Sequence, residues 1–138
     1  MTEYLYRLDF QVRDYELDMQ GIVNNSVYQN YLEHTRHEFL KEYGIDFAAF
    51  TRDRINLVVM RIEIDYKFPL QSGDRFWIGL NMHKESRLRF VFLQDIYRLP
   101  DDKPILKARA TGTSLNQNGR PTVSVELEQA FAKLDLEK

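Results

Sequence analysis

One helical stretch stands between segments of alternating apolar and polar residues, and this order leaves few folds open to the chain. Residues 27–43 carry apolar side chains three and four positions apart, the spacing of a helix that buries one face: Val27, Tyr28, Tyr31, Leu32, Phe39, Leu40 and Tyr43. Gly44 follows and predicts the helix end. Before the helix, residues 4–12 alternate with the period of a half-buried strand.

Downstream of the helix, four further segments alternate in the same way. Residues 61–68, 76–84 and 106–114 predict strands, and so do residues 88–98, whose pattern shifts phase midway and indicates either a bulge or two buried faces. Residues 123–133 predict a short closing helix. We therefore expect an α+β domain in which an antiparallel sheet of five or six strands wraps one long helix.

The chain is expected to form one domain over residues 1–138, because its length and its apolar content of 43% suffice for a single core. One helix cannot shield a sheet of five or six strands completely. A homodimer is the natural way to cover the remaining surface, and we expect a dimer or a dimer of dimers.

Charge and cysteine content exclude several classes of function. The chain has 19 Lys and Arg against 21 Asp and Glu, so no overall positive field holds nucleic acid or an anionic membrane, although a local basic patch stays open. The absence of cysteine excludes disulfides, thiolate catalysis and thiolate-rich zinc sites. With neither a signal-peptide pattern nor a run of about 20 apolar residues, we expect a soluble, cytoplasmic protein with no nucleic-acid or membrane partner.

The junction between residues 14–25, which predict a loop, and the helix is the most informative place for chemistry. Asp18 precedes the helix start, for which Asn24, Asn25 or Ser26 is the expected cap. Free N–H groups at a helix start can bind a carbonyl oxygen that gains negative charge, and a nearby carboxylate can attack the carbon or activate water. By residue pattern alone, Asp18 also fits a cap or a solvated loop charge.

The same segment resembles a known family. Residues 18–28, followed by Tyr31, Glu33 and Arg36, are similar to the hotdog-fold acyl-CoA thioesterases related to 4-hydroxybenzoyl-CoA thioesterase. The likeness continues through residues 64–69, Gly73-Asp74 and residues 118–121, in the family's order. The resemblance implies a hotdog fold with its pocket between two subunits.

Residue roles also follow from this resemblance. It implies that Asp18 is the nucleophile or general base, that the backbone N–H of Asn25 binds the thioester oxygen, and that Gly21 lets the loop turn tightly above the acyl group. Asn24 and Tyr28 are expected to contact substrate. The motif pair Glu33 and Arg36 is interpreted as structural, a helix pair that braces the fold.

The chain departs from the family pattern at two positions. Several relatives have histidine where this chain has Ile22 or Asn25, and others have an aromatic residue at the latter. Asp18 would then act without a local histidine, so water activation and direct attack both stay open. The side chain of Asn25 either orients water or caps the helix, and capping is the favoured interpretation.

Three cations mark a second expected contact. Lys84, Arg87 and Arg89 lie at a hairpin between two predicted strands, where they can meet the phosphates of coenzyme A. The alternative is an ordinary charged turn. Phe47 and Phe50, just beyond the helix, are the aromatic residues expected in an acyl pocket.

Other titratable groups are interpreted more simply. His34 and His37 are three positions apart on the helix, but the chain shows no usual set of partner ligands and we expect no metal. His83 is interpreted as a surface residue. Glu16 can raise the pKa of Asp18 by like-charge repulsion, although a solvated loop glutamate is the favoured interpretation.

Taken together, these features predict an acyl-CoA thioesterase that releases free acid and coenzyme A and needs no cofactor, because the coenzyme is part of the substrate. Acyl carrier protein is the alternative donor, since it presents the same pantetheine thioester. The alternative hypothesis from another functional class is a protein that binds acyl-CoA without hydrolysing it.

Overall fold

The computed structural model describes residues 3–44, 52, 56–123 and 125–133. Its strands are β1 (Tyr6–Gln11), β2 (Asn56–Tyr66), β3 (Arg75–Lys84), β4 (Phe90–Leu99) and β5 (Lys103–Leu115), and its helices are α1 (Asn25–Glu42) and α2 (Val125–Lys133). The strands form one antiparallel sheet in the order β1-β3-β4-β5-β2. The predicted α+β architecture of an antiparallel sheet and one long helix is confirmed, with five strands in the part of the chain described.

Two strands differ in detail from the predicted pattern. β2 begins at Asn56 rather than near residue 61, because a bulge between Val59 and Arg61 interrupts the alternation. In β4, the predicted phase shift has two causes. Residues 90–92 are buried in succession, and the register with β5 shifts after Ile96.

The helix α1 buries one face at the expected spacing. Its buried residues follow one another at three and four positions: Tyr28, Tyr31, Leu32, Thr35, Arg36, Phe39 and Leu40. The helix ends at Glu42, and Gly44 follows with φ of 82°, a left-handed conformation that glycine adopts without strain. The predicted helix and its end are confirmed.

The core divides into two clusters along α1. Tyr28, Tyr31 and Leu32 pack where β3 begins and β4 ends, against Phe76, Ile78 and Ile96 among others. Phe39 and Leu40 pack where β3 ends and β4 begins, together with α2: Leu80, Met82, Phe90, Phe92, Leu127 and Phe131. The helix start and the β3–β4 hairpin therefore lie at opposite ends of the sheet, since 18 helical residues extend about 27 Å.

A buried charge joins the helix to the sheet between these clusters. The guanidinium of Arg36 donates to Gln94 Oε1 over 3.1 Å, and Gln94 Nε2 donates to the carbonyl of Leu32 over 3.0 Å. Burial lowers the pKa of Arg36, and the charge of Glu33 opposes that change. The brace predicted for Arg36 therefore runs to Gln94 in β4, whereas Glu33 forms no ion pair with it within the described residues.

Neither helix among the described residues is long and apolar enough to cross a membrane.

Candidate active site

The loop that carries Asp18 is a tight turn held by its own backbone. The N–H of Asp18 donates to the carbonyl of Ile22 over 2.8 Å, and the N–H of Gly21 donates to the carbonyl of Asp18 over 3.1 Å. Leu17 and Val23 pair on either side of the turn. Gly21 has φ of 80°, so the tight turn expected there is present and needs a residue without a side chain.

The Asp18 side chain is half-buried and oriented by this turn. Its Oδ1 accepts from the N–H of Gln20 over 2.8 Å and, more weakly, from that of Ile22 over 3.5 Å. No described residue forms a hydrogen bond to Oδ2. One carboxylate oxygen therefore holds the loop, and the other stays available to a ligand.

The start of α1 leaves one backbone donor open. Asn24 caps the helix, because its Oδ1 accepts from the N–H of Ser26 over 3.0 Å. Its carbonyl accepts from the N–H groups of Val27 and Tyr28 over 2.9 and 3.4 Å. Within the described chain, the N–H of Asn25 is the one donor of this first turn with no acceptor.

The interpretation of Asn25 as the cap is wrong. Asn25 is the first residue of the helix, and the capping oxygen belongs to Asn24. The side chain of Asn24, predicted to contact substrate, is engaged with Ser26, whose Oγ also donates to it over 3.0 Å. Asn25 lines a cleft beside the helix start.

This cleft has a volume of about 240 Å³ and two walls. Its lining residues are Ile22, Val23, Asn25 and Tyr28 on the helix side, and Tyr66, Lys67, Phe68 and Pro69 on the other. Asp18 is not among the residues that line the cleft. Its Oδ1 accepts weakly from the N–H of Ile22 over 3.5 Å, so the carboxylate neighbours that wall.

Backbone hydrogen bonds hold the two walls together. The N–H of Val23 donates to the carbonyl of Leu70 over 2.9 Å, and Ile22 pairs with Gln71. The hydroxyl of Tyr28 accepts from the N–H of Leu70 over 2.9 Å. Burial raises the pKa of Tyr28, the Leu70 bond lowers it in part, and the charge of Asp18 makes a smaller upward contribution.

A larger open groove of about 750 Å³ runs along β1 and includes Glu16, Tyr31 and His34. It contains neither Asp18 nor the free N–H of Asn25. The smaller cleft is the better candidate site, because Asn25, whose N–H is unpaired, lines it and the Asp18 turn adjoins its Ile22 wall.

Comparison with known proteins decides the family. Residues 12–133 match the sequence profile of a family described as the Thioesterase-like superfamily. The chain belongs to the thioesterase-like superfamily. The resemblance drawn from the sequence motifs is thereby confirmed at the level of the family.

Two relatives in the thioesterase-like superfamily differ in the acyl donor that their names state. An acyl-acyl carrier protein thioesterase from Arabidopsis thaliana chloroplasts is 40% identical over 85% of this chain and 62% of its own length. The long-chain acyl-CoA thioesterase of Escherichia coli is 27% identical over 86% of this chain and 89% of its own length. The chain spans about three-fifths of the length of the plant relatives that it matches, at 62% and 63%.

The fold agrees with that of a solved structure. A 1,4-dihydroxy-2-naphthoyl-CoA thioesterase from Synechocystis superposes with a TM-score of 0.86 at 17% identity, covering 94% of this chain and 97% of that one. The hotdog fold expected from the sequence is confirmed.

Glu16 is not the solvated loop residue that was expected. Its Oε1 accepts from the hydroxyl of Tyr31 over 2.6 Å and from the N–H of Arg13 over 2.9 Å. Burial raises the pKa of Tyr31, and the bond to Glu16 raises it further. In this member of the thioesterase-like superfamily, Glu16 fastens the pre-helix loop to α1.

The expected phosphate contacts lie away from the cleft. Lys84 ends β3, and Arg87 and Arg89 are exposed in the hairpin, which the N–H of Glu85 closes by donating to the carbonyl of Arg89 over 2.9 Å. This hairpin adjoins the C-terminal half of α1. Of the predicted site residues, Asn25 and Tyr28 line the cleft, the turn of Asp18 and Gly21 and the cap Asn24 adjoin it, and the three cations lie at the other end of the sheet.

The remaining predicted groups are placed as follows. His34 packs edge-on to the ring of Phe10, with centroids 6.1 Å apart. No group of three or more histidine, aspartate or glutamate side chains in the described part of the chain is arranged to hold a metal. Phe47 and Phe50 lie outside the described residues.

The far wall of the cleft was missed by the sequence analysis. The alternation of residues 61–68 placed Phe68 with the buried side chains, but β2 ends at Tyr66 and Phe68 is 40% exposed. The sequence predicts that the strand ends at Pro69, because a proline cannot donate to a sheet, and in the structure β2 ends three residues earlier, at Tyr66.

Proposed function

We propose that the protein is a thioesterase that hydrolyses the acyl thioester of a pantetheine carrier, with acyl-CoA as the expected substrate. The observation that carries this proposal is the unpaired N–H of Asn25, which opens beside a cleft adjoining the Asp18 loop. Membership of the thioesterase-like superfamily supports it.

The N–H of Asn25 donates a hydrogen bond to the carbonyl oxygen of the thioester. A helix start carries partial positive charge, and its free N–H is preorganised to donate to an oxygen that becomes an oxyanion. Because the other donors of this turn are paired with Asn24, the oxyanion contact falls to this one N–H.

The Asp18 carboxylate supplies the second half of the chemistry through its free oxygen. In one route Oδ2 attacks the carbonyl carbon, the thiolate leaves and takes a proton, and water then hydrolyses the resulting anhydride to free acid and regenerated Asp18. In the other route Oδ2 takes a proton from a water that attacks the same carbon. Both routes use the orientation that the Gln20 N–H gives the carboxylate.

The acyl donor can be tested directly with the wild-type protein. A set of acyl-CoA thioesters of different chain length and aromatic character, with matching acyl carrier protein thioesters, would be followed with a thiol-detecting dye. We expect thiol release from acyl-CoA. Faster release from the carrier protein thioesters would favour the donor named for the plant relative. Binding of acyl-CoA with no release from any thioester would contradict the enzyme and favour a binding protein.

We further propose that a second copy of the chain pairs along β2 and completes the site. β2 is an edge strand, and three of the large exposed apolar side chains lie on it: Val59, Met60 and Tyr66. Antiparallel pairing about a two-fold axis near Glu63 would set Arg61 of each copy beside Asp65 of the other. Tyr66 lies at the cleft, so the second copy would border it.

Val59→Lys is expected to convert the protein to a monomer, because an added lysine on an edge strand opposes pairing with a second strand. Light scattering coupled to gel filtration would show the mass fall by half, and thioesterase activity would fall with it. Gln11→Lys, on the opposite edge strand β1, is the matched control and should keep the oligomer. A Val59→Lys protein with unchanged mass would rule out the β2 interface.

A further inference from the structure

Resting on the proposed thioesterase function, we propose that Lys67 and Lys103, both beside Phe68 at the mouth of the cleft, bind the phosphate of a phosphopantetheine carrier. This phosphate is common to coenzyme A and to acyl carrier protein. The assignment moves phosphate recognition from the distant hairpin to the cleft itself.

The first observation is the environment of the Phe68 ring. The ring lines the cleft and is 40% exposed, and Lys103 Nζ lies 4.6 Å from its centroid. Arg98 Cζ lies 5.3 Å from the same centroid. An exposed aromatic ring between cations at a cleft mouth offers an apolar surface to the pantetheine arm and positive charge to the group at its end.

The second observation is which of these cations are available. Arg98 is already paired, since its Nε and guanidinium NH2 donate to the two carboxylate oxygens of Asp101 over 3.2 and 2.5 Å. Lys67 and Lys103 form no ion pair with any described carboxylate. Their charges are therefore open to an anionic ligand.

The third observation is that the backbone holds both lysines near one another. The N–H groups of Lys67 and Phe68 both donate to the carbonyl of Ile105, over 2.8 and 3.2 Å. Lys103 lies two residues before Ile105 in the same strand. The segment after β2 is thus fixed against β5, which brings the backbones of Lys67 and Lys103 close together.

The size of the cleft favours a phosphate bound outside it. Sites that enclose a whole ligand usually measure about 300–1,000 Å³. The cleft, at about 240 Å³, holds the reacting thioester and part of the arm, and the carrier continues past Phe68. A phosphate there meets two flexible ammonium groups, which bind phosphate as point charges without needing a fixed geometry.

The test compares four thioesters of one acyl group, carried on pantetheine, 4′-phosphopantetheine, coenzyme A and acyl carrier protein. For Lys67→Gln with Lys103→Gln, we expect KM to rise about tenfold for the three phosphate-bearing substrates. We expect kcat to stay unchanged, and the pantetheine substrate to be turned over as by the wild type. The difference should shrink as salt is raised, because the contacts are exposed.

Lys41→Gln with Arg7→Gln removes the same charge from α1 and from β1, the opposite edge of the sheet, and is the matched control. Three results would overturn the assignment. They are an equal rise in KM from the control pair, an unchanged KM of the Lys67→Gln, Lys103→Gln protein for all four substrates, and an equal rise in its KM for the pantetheine substrate. A change confined to acyl carrier protein would also overturn it and indicate an acidic protein surface as the partner. If KM for the phosphate-bearing substrates rises in Arg87→Gln with Arg89→Gln and not in Lys67→Gln with Lys103→Gln, the phosphate binds at the hairpin instead.

A binding measurement separates this proposal from the proposed function. Titration of phosphopantetheine and pantetheine into the wild type and the double variant, followed by calorimetry, requires no turnover. Tighter binding of phosphopantetheine by the wild type, lost in the variant, would support the phosphate site even if no thioester were hydrolysed. Equal binding by the two proteins would overturn it even if hydrolysis were observed.

Discussion

Asp18→Asn is expected to lower kcat by about 10²–10⁴ while leaving the fold intact. Asparagine keeps an oxygen at the position that accepts from the Gln20 N–H, so the turn retains its bond. It removes the negative charge that would attack the carbonyl or activate water. Steady-state kinetics with the best thioester found in the donor screen would measure the loss, and circular dichroism would report the fold.

Isotope labelling of the wild type can reveal direct attack by Asp18. A single turnover of the wild type in ¹⁸O water labels Asp18 if the carboxylate attacks and water then opens the anhydride at the Asp18 carbon, a result that water activation cannot give. Asp14→Asn, in the exposed start of the same loop, is a matched control and should keep near-normal kcat. Near wild-type kcat in Asp18→Asn would remove this carboxylate from the mechanism.

Asn25→Pro is expected to lower kcat by about 10²–10³, the usual effect of losing one oxyanion donor. Proline has no N–H, yet it is favoured at the first position of a helix. The preceding residue must be extended, and Asn24 already is, with φ of −65° and ψ of 141°. The substitution therefore removes the proposed donor with little expected change in helix stability.

Asn25→Ala is the partner variant, because it keeps the backbone N–H and removes only the side chain. If the N–H is the active group, alanine should retain most of kcat and proline should not. Thermal unfolding of both proteins would show whether the helix start survives. A proline variant with normal kcat, or equal losses in both variants, would place the oxyanion donor elsewhere.

Periodicity predicted most of the fold, and the exceptions have local causes. The apolar face of α1 and the alternation in β3 were visible because each element buries one face over many residues. The first part of β2 was not visible, because the bulge between Val59 and Arg61 shifts the alternation by one position. Burial on both faces made β4 ambiguous in the same way.

The candidate site was predicted only where its residues are neighbours in sequence. Asp18 and Asn25 lie in one loop and helix start, so the residue pattern of a single segment indicated both. The wall formed by Lys67 and Phe68 meets that loop through the bond from Val23 to Leu70, a contact between distant parts of the chain that no local pattern encodes. The identity of the capping residue likewise depended on which asparagine began the helix.

The way in which the two walls are joined has a consequence for how such a protein can change over evolution. The Asp18 turn and the segment after β2 are tied by main-chain bonds at Val23, Leu70 and Gln71, which do not depend on side-chain identity. On the proposed assignment, replacement of Phe68 or Lys67 would alter ligand preference without displacing the Asp18 turn. Selectivity and chemistry would then be separately adjustable, through exchange of a few exposed residues.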